Sequence, residues 1–435
     1  MNIKILLTIA SLPAFAAATA APVQQPDTAL TLAECRQMAL TNNADIRTSN
    51  NSLMAAVETR REAFTRYFPE IAAGASAFHA NHDMLQYDVL DLFTLGAVRN
   101  GRAAGVWALQ PVFAGGQIVN GNKLARVGEE AAEIRRDAAR EAVVLQTDAL
   151  FWQLVTLKAT RCTLESAVVT LDSLGAQVHA AVDAGVVPLN DFLKVELKRN
   201  KYRSDIVDLD NGIDLIRMLL AQHIGMGADA AVDVEAFVPD SLTAAPDSLF
   251  VAPAVALPYT NDYRLLEKNV EAKSLERRMT VGSYLPKVAV GAGWFYHNVL
   301  EQNHNFGAVM VTVQVPLSGW WGGSHAIKRK SLELDNARTE LTDLGQKLEI
   351  AMQDKWDNLT AARRKMQIAA EAIAQSRENL RLNQAYYQAG ISTITDLLDA
   401  QALYQQAQDD FIAAYGAARL SESQYLHATG RLLEP

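Results

Sequence analysis

Residues Tyr387–Asp399 read YQAGISTITDLLD, and Val182–Lys194 read VDAGVVPLNDFLK. In both, an Ala-Gly pair (Ala184-Gly185 and Ala389-Gly390) interrupts a long helical pattern, and an Asp followed by two apolar residues comes shortly after. Gly takes the left-handed backbone that ends helices at little cost. The polar residues just before each Asp can cap the helix that follows. Each copy therefore predicts the tight tip of a long antiparallel helical hairpin. The copies lie 205 residues apart (184 to 389).

Upstream of the tips, helical patterns run over 117–183 and 324–388, the first without a proline. At about 1.5 Å per residue each would span roughly 100 Å, which no compact core requires. Downstream, further helices are expected over 190–224 and 395–432. Shorter patterns at 44–66 and 262–282 are short enough to stack end to end with these and match the long helices. Leu397, Tyr404, Phe411, Ala418 and Tyr425 recur every seven residues, beside a row of small residues at Ala400, Ala407, Ala414, Ser421 and Ala428. Sustained heptads mean supercoiled helix packing, and small residues permit close approach.

Between each shorter helix and its long partner the period changes, at Tyr67-Phe-Pro69 and at Tyr284-Leu-Pro286. Ile71, Ala73, Ala75 and Ala77 alternate, and 103–113 is again extended, with 79–102 read as a loop. The second half is clearer: Val288, Val290, Ala292, Trp294 and Tyr296 line one face of a strand, and Val309, Val311, Val313 and Val315 line another. Pro111 and Pro316 share the 205-residue offset. A two-residue insertion within Gly319-Trp-Trp321 shifts the second Gly-Gly pair, Gly322-Gly323, relative to Gly115-Gly116. The expected organisation is a signal peptide at 1–20 and a first repeat at 21–225, with strands at about 70–80 and 103–113 and its tip at about 184–191. An irregular Pro-containing linker at 226–258 joins it to a second repeat at 259–435. That repeat has strands at about 286–298 and 305–316 and its tip at about 389–396.

The signal reading rests on Lys4, the short apolar run Ile5–Ala18 and the small-residue site Ala18-Thr19-Ala20. No segment offers the roughly twenty apolar residues of a spanning helix. A formal charge of −9 argues against nucleic acid. Cys35 and Cys162 make no disulfide framework and are expected as partly buried free thiols. Gly291-Ala-Gly293 and the Gly-Gly pairs lack a P-loop lysine. His79, His82, His297 and His304 fall near the outer ends of the strand pairs and could form a metal site, but no carboxylate or Cys spacing completes it, and loop histidines are the default. The basic run His325–Lys330 reads as a solvated face or a headgroup contact. No nucleophile, base and oxyanion constellation stands out, so neither an enzyme nor a cofactor is expected.

Strands with apolar faces of about nine to eleven residues have the length of tilted membrane-spanning strands. Tyr67, Phe68, Phe113, Tyr284, Trp320 and Trp321 cluster at the helix–strand junctions, as in an interfacial aromatic girdle. Four strands cannot close a barrel, since closed barrels start at about eight, so several chains must contribute. The competing class is an exported coiled-coil structural or adaptor protein without a pore.

The order of these features resembles the TolC-like outer-membrane efflux proteins. The match rests on the tandem repeats, the Pro-marked strand entries, the handovers Pro111-Val-Phe-Ala-Gly-Gly116 and Pro316–Gly323, and both tips. The resemblance implies a mainly α fold with a β-barrel part: a homotrimer with a twelve-stranded barrel in outer-membrane lipid and a periplasmic helical tunnel. It implies an exit duct that docks, through the tips, onto a periplasmic adaptor protein and an inner-membrane transporter. It further implies an acidic gate ring at Asp396 and Asp399 and a gate latch between Tyr387 and Asp191. The family's better-known members carry an arginine where this chain has Ser392.

Overall fold

A computed structural model of the chain describes residues 29–433 apart from 83, 90–92, 98, 228, 231, 236–237, 240–248, 299–302 and 318. The expected signal peptide at 1–20 lies outside the described residues. The first helix, α1 (Leu32–Asn42), opens on a capping box in which Glu34 accepts from the Thr31 amide at 2.8 Å. Asn43 then caps α2 (Ala44–Thr65) through the Asp45 amide. Strands β1 (Glu70–His79), β2 (Leu85–Val89), β3 (Phe93–Ala97) and β4 (Asn100–Ala114) follow. The 67-residue α3 (Gln117–Asp183) and α4 (Leu189–His223) complete the first repeat.

Past a short helix α5 (Pro253–Ala256), the second repeat consists of α6 (Asn261–Ser283), β5 (Lys287–Asn298), β6 (His304–Gln314), the 70-residue α7 (Gly319–Gln388) and α8 (Ile394–Ala428). Two details differ from the sequence reading. Part of the expected loop at 79–102 is strand: β1 extends to His79, β4 starts at Asn100, and β2 and β3 pair as a separate hairpin. The second Gly-Gly pair does not precede its helix but lies inside the first turns of α7, where Gly323 lets the Tyr284 ring approach. In the first repeat, by contrast, Gly115 and Gly116 hold positive φ and form the turn itself.

The half-length helices stack as their lengths require. Gly225 ends α4 against Asn42, while Asn43 donates to the His223 carbonyl at 2.8 Å, so α2 continues the line of α4. In the second repeat Gly430, 205 residues on, ends α8 against Tyr259 and Thr260 at the start of α6. A core at this level buries Cys35, Leu154, Leu220 and Ile224. Leu30 pairs with Val234 across it, and Lys158 and Arg217 both close on Asp233. The Arg36 guanidinium pairs bidentately with Asp148, which is fully buried. Both cysteines are free, as expected, but neither is partly buried: Cys35 is fully buried, and burial pushes its thiol up to about 12, whereas Cys162 is exposed.

Four strands form one antiparallel sheet in the order β1-β4-β5-β6, leaving β1 and β6 as edges. Pro111, which has no N–H to donate, sits beside a register shift between Pro111 and Phe113 in the central strand β4. The turn after β4 rests on the end of α6. A Cβ on Gly115 would stand 2.0 Å from the Gly282 carbonyl oxygen, and one on Gly282 would stand 2.1 Å from that of Gly115. Only glycine fits on either side.

Candidate functional site

Both tips use the same backbone device. After α3, the Gly185 amide donates to the Val182 carbonyl and the Val186 amide to Ala181, each at 2.9 Å. After α7, Gly390 donates to Tyr387 at 3.0 Å and Ile391 to Tyr386 at 2.9 Å. This pairing is a Schellman turn, and it needs the left-handed residue supplied by Gly185 (φ 70°) and Gly390 (φ 71°). Among the described residues neither glycine has an atom within 4 Å of a would-be Cβ, so conformation sets the requirement. Ala184 and Ala389 are the last residues before these turns, and all four tip residues are present as an exposed pair of ends.

The two tips diverge at the next helix start. Thr393 caps α8: its hydroxyl accepts from the Asp396 amide at 3.2 Å, and the Asp396 carboxylate accepts from the Thr393 amide at 2.9 Å and hydroxyl at 2.7 Å. The Thr393 hydroxyl, its amide and then the Ser392 hydroxyl (3.3 Å) hold the Asp396 carboxyl below the usual carboxylate range. Ser392 is thus a partner of Asp396. Asp399 lies one turn further along the same exposed side of α8. In the first repeat Pro188 occupies the Thr393 position and has no side-chain acceptor, so Asp191 does not enter a capping box. Its carboxylate instead accepts from Lys194 Nζ at 3.4 Å.

Tyr387 is half-buried nearby, and burial, then the Asp191 charge, raises its phenol. No hydrogen bond joins Tyr387 to Asp191 among the described residues. The polar contact between hairpins at this level is different: Lys194 Nζ donates to Thr395 Oγ1 of α8 at 3.0 Å. Sequence reasoning missed it, although Lys194 follows Asp191 by one helical turn. Beneath, Leu171, Val178, Val195, Ile394 and Leu397 form an apolar core that joins both tips, with Phe192 and Tyr387 packed against it.

At the other end of the helices, Tyr67, Phe68, Phe113, Trp320 and Trp321 are all substantially exposed, the last at 84%. Tyr284 is more enclosed: its ring covers Gly323, and its carbonyl accepts from Trp320 Nε1 at 3.0 Å. Phe64 joins the group edge-on to both Tyr67 and Phe68, a member that the junction motif alone did not reveal because it lies one turn back on α2.

The register sorts the sheet into two unlike faces. One carries Ile71, Val106, Trp294, Val309, Val311 and Val313, all exposed, with Val309 at 80%. The other carries Glu70, Lys287, Thr312 and Gln314 near the helices. Further along the same face, Trp107 stacks with Phe295 and Phe295 packs on Phe306 at 5.5 Å. No helix among the described residues is long and apolar enough to cross a membrane.

The chain is similar to several solved outer-membrane channels. VceC of Vibrio cholerae superposes with a TM-score of 0.79 at 16% identity, covering 92% of this chain and 96% of that one. The Campylobacter jejuni channel CmeC gives 0.81 at 13% identity, covering 92% and 86%. The open state of MtrE from Neisseria gonorrhoeae gives 0.75 at 16% identity, covering 92% and 89%. At such identities the likeness establishes the fold. No curated protein matches in sequence. The outer membrane efflux protein family, however, matches residues 35–225 and 264–431, nearly all of both repeats. The chain belongs to the outer membrane efflux protein family, whose members are channels rather than enzymes.

Proposed function

We propose that three copies of this chain form a passive exit duct of a tripartite efflux or secretion system, with a barrel in the outer membrane and a helical tunnel in the periplasm. The observation that carries the reading is the four-stranded sheet with two free edges, β1 and β6, and one continuous exposed apolar face. Free edges in an apolar medium leave backbone groups unsatisfied, and closure is the remedy. Three copies supply twelve strands, enough for a closed barrel. The valine-rich face then meets lipid, the face with Glu70, Lys287 and Gln314 lines the lumen, and Tyr67, Phe68, Phe113, Trp320 and Trp321 sit at the interface.

The tips are then the periplasmic mouth, with Ala184, Gly185, Ala389 and Gly390 meeting the periplasmic adaptor protein, which couples the duct to an inner-membrane transporter. Asp396 and Asp399 would ring the entrance with carboxylates and favour cations. The capping that keeps Asp396 ionised supports that role. Tyr387 and Asp191 remain the candidate latch pair, with Lys194 as the cation that reaches across to Thr395 where the family arginine is replaced by Ser392. The test is the protein extracted from outer membranes in mild detergent. The duct predicts a trimer whose migration changes on heating and which opens pores in planar bilayers. A soluble monomer in the periplasmic fraction overturns it and favours a poreless coiled-coil protein.

A further inference from the structure

His297 and His304 stand directly opposite each other as the last registered pair of the β5–β6 ladder. Their ring centres are 5.4 Å apart with planes inclined by 35°. The Nδ1 atom of His297 is enclosed and has no hydrogen-bond partner among the described residues. Phe306 lies edge-on to His297 at 5.9 Å and shields one side. Both histidines fall on the face that carries Trp107, Phe295 and Phe306, opposite the valine-rich face.

We propose that His297 and His304 form a binding site for a borderline divalent cation of the zinc, copper or nickel kind, on the lumenal wall at the outer mouth of the duct. The ring spacing admits such an ion. A metal at about 2.0–2.1 Å from one nitrogen of each ring lies about 3.2 Å from each ring centre, and a tetrahedral angle then separates the centres by about 5.2 Å. The observed spacing is within a few tenths of an ångström of that value. A shared cation gives the enclosed His297 nitrogen the partner it lacks. Among the described residues no third His, Cys, Asp or Glu completes the set. Two imidazoles are the ligands that the described residues supply. Neutral imidazoles select borderline ions over magnesium or calcium. His79 faces the other side of the sheet, where its Nδ1 is 2.6 Å from Asn100 Oδ1, and takes no part.

The lumenal position rests on the duct reading, but the chelate lies within one chain, so the two fail separately. The experiment titrates Zn2+ into the untagged full-length protein in detergent by calorimetry, with Mg2+ as the comparison. The expected result is one zinc site per chain, weakened about tenfold or more in both His297→Asn and His304→Asn, and unchanged in His79→Asn. Zinc should also protect His297 and His304 of the unaltered protein from carbethoxylation, a readout that does not depend on a variant folding. Zinc on the outer side of a bilayer should lower single-channel current. A conducting trimer that binds no zinc, or whose binding survives both substitutions, overturns the site alone. A zinc-binding monomer that forms no pore overturns the duct and leaves the site standing.

Discussion

Replacing Lys194 with Met keeps most of the side-chain stem and removes the ammonium that links the two hairpins. The pair with Asp191 lies within α4 and survives if the hairpins part, so the bond from Nζ to Thr395 Oγ1 at 3.0 Å is the one that resists separation. A hydrogen bond from a charged donor is worth about 1.5–3 kcal/mol. The Lys194 side chain is 39% exposed, so water and salt compete, and about 1 kcal/mol is the fitting value. If the proposed trimer opens with all three chains moving together, the loss is about 3 kcal/mol. At about 1.4 kcal/mol per decade, the open-to-closed ratio should rise on the order of 100-fold. Single-channel recording of the reconstituted trimer reads this directly as open probability. Lys198→Met is the control, since Lys198 sits one turn away over the Tyr202 ring and its loss removes the same charge without touching Thr395. An open probability within twofold of the unaltered channel, or an equal rise in the control, would refute the assignment of Lys194 as the cross-hairpin tie.

Asp399→Asn, which leaves the Asp396 cap intact, should lower cation selectivity and weaken block by divalent cations in the same recordings; unchanged selectivity removes Asp399 from the proposed ring. Gly282→Ala should destabilise the helix–sheet junction by about 1–3 kcal/mol, because its Cβ would stand 2.1 Å from a backbone carbonyl oxygen. Gly390→Ala meets no atom but must hold φ near 71°, so about 1–2 kcal/mol should be lost at the tip alone, read by hydrogen exchange there against thermal melting of the trimer. Asp409 is half-buried and accepts from Gln405 at 3.0 Å; burial raises its carboxyl, with Asp410 and Asp205 adding repulsion. A raised folded-state value means that the group's contribution is complete below the unfolded carboxyl range, about pH 3.9, and is lost as pH rises through the folded value. Asp409→Asn should therefore raise the melting temperature at pH 7, with the gain vanishing towards pH 4; a gain that persists in acid would show that charge is not its cause.

The repeat, the helix lengths and the tips are written in the sequence because their causes are local. Gly185 and Gly390 are needed for a backbone angle, Thr31-x-x-Glu34 and Thr393-x-x-Asp396 cap whatever helix follows them, and a heptad row persists however its neighbours are arranged. The β2–β3 hairpin escaped because Leu85-Gln-Tyr-Asp-Val89 alternates over only five residues, too short a run to separate from a loop by period. Gly322-Gly323 escaped because the sequence pairs it with Gly115-Gly116, yet the handover differs. In one repeat the glycines turn the chain, and in the other they make room for the Tyr284 ring inside a helix.

Asp191 and Asp396 make the division plain. They occupy equivalent positions 205 residues apart, and the sequence alone assigned both to helix starts with a shared prospect of capping. Thr393 engages Asp396 locally, a relation readable three residues away. Pro188 has no side chain to engage the Asp191 carboxylate, which pairs instead with Lys194 one turn along its own helix, and packing carries Lys194 on to Thr395, on a helix two hundred residues later. His297 and His304 were likewise visible as loop histidines, but their meeting across one ladder depends on the β5–β6 register. Periodicity, caps and glycine angles act over a few residues and survive translation into sequence pattern. Contacts between side chains on different helices or strands depend on register and on supercoil, and only the folded chain fixes those.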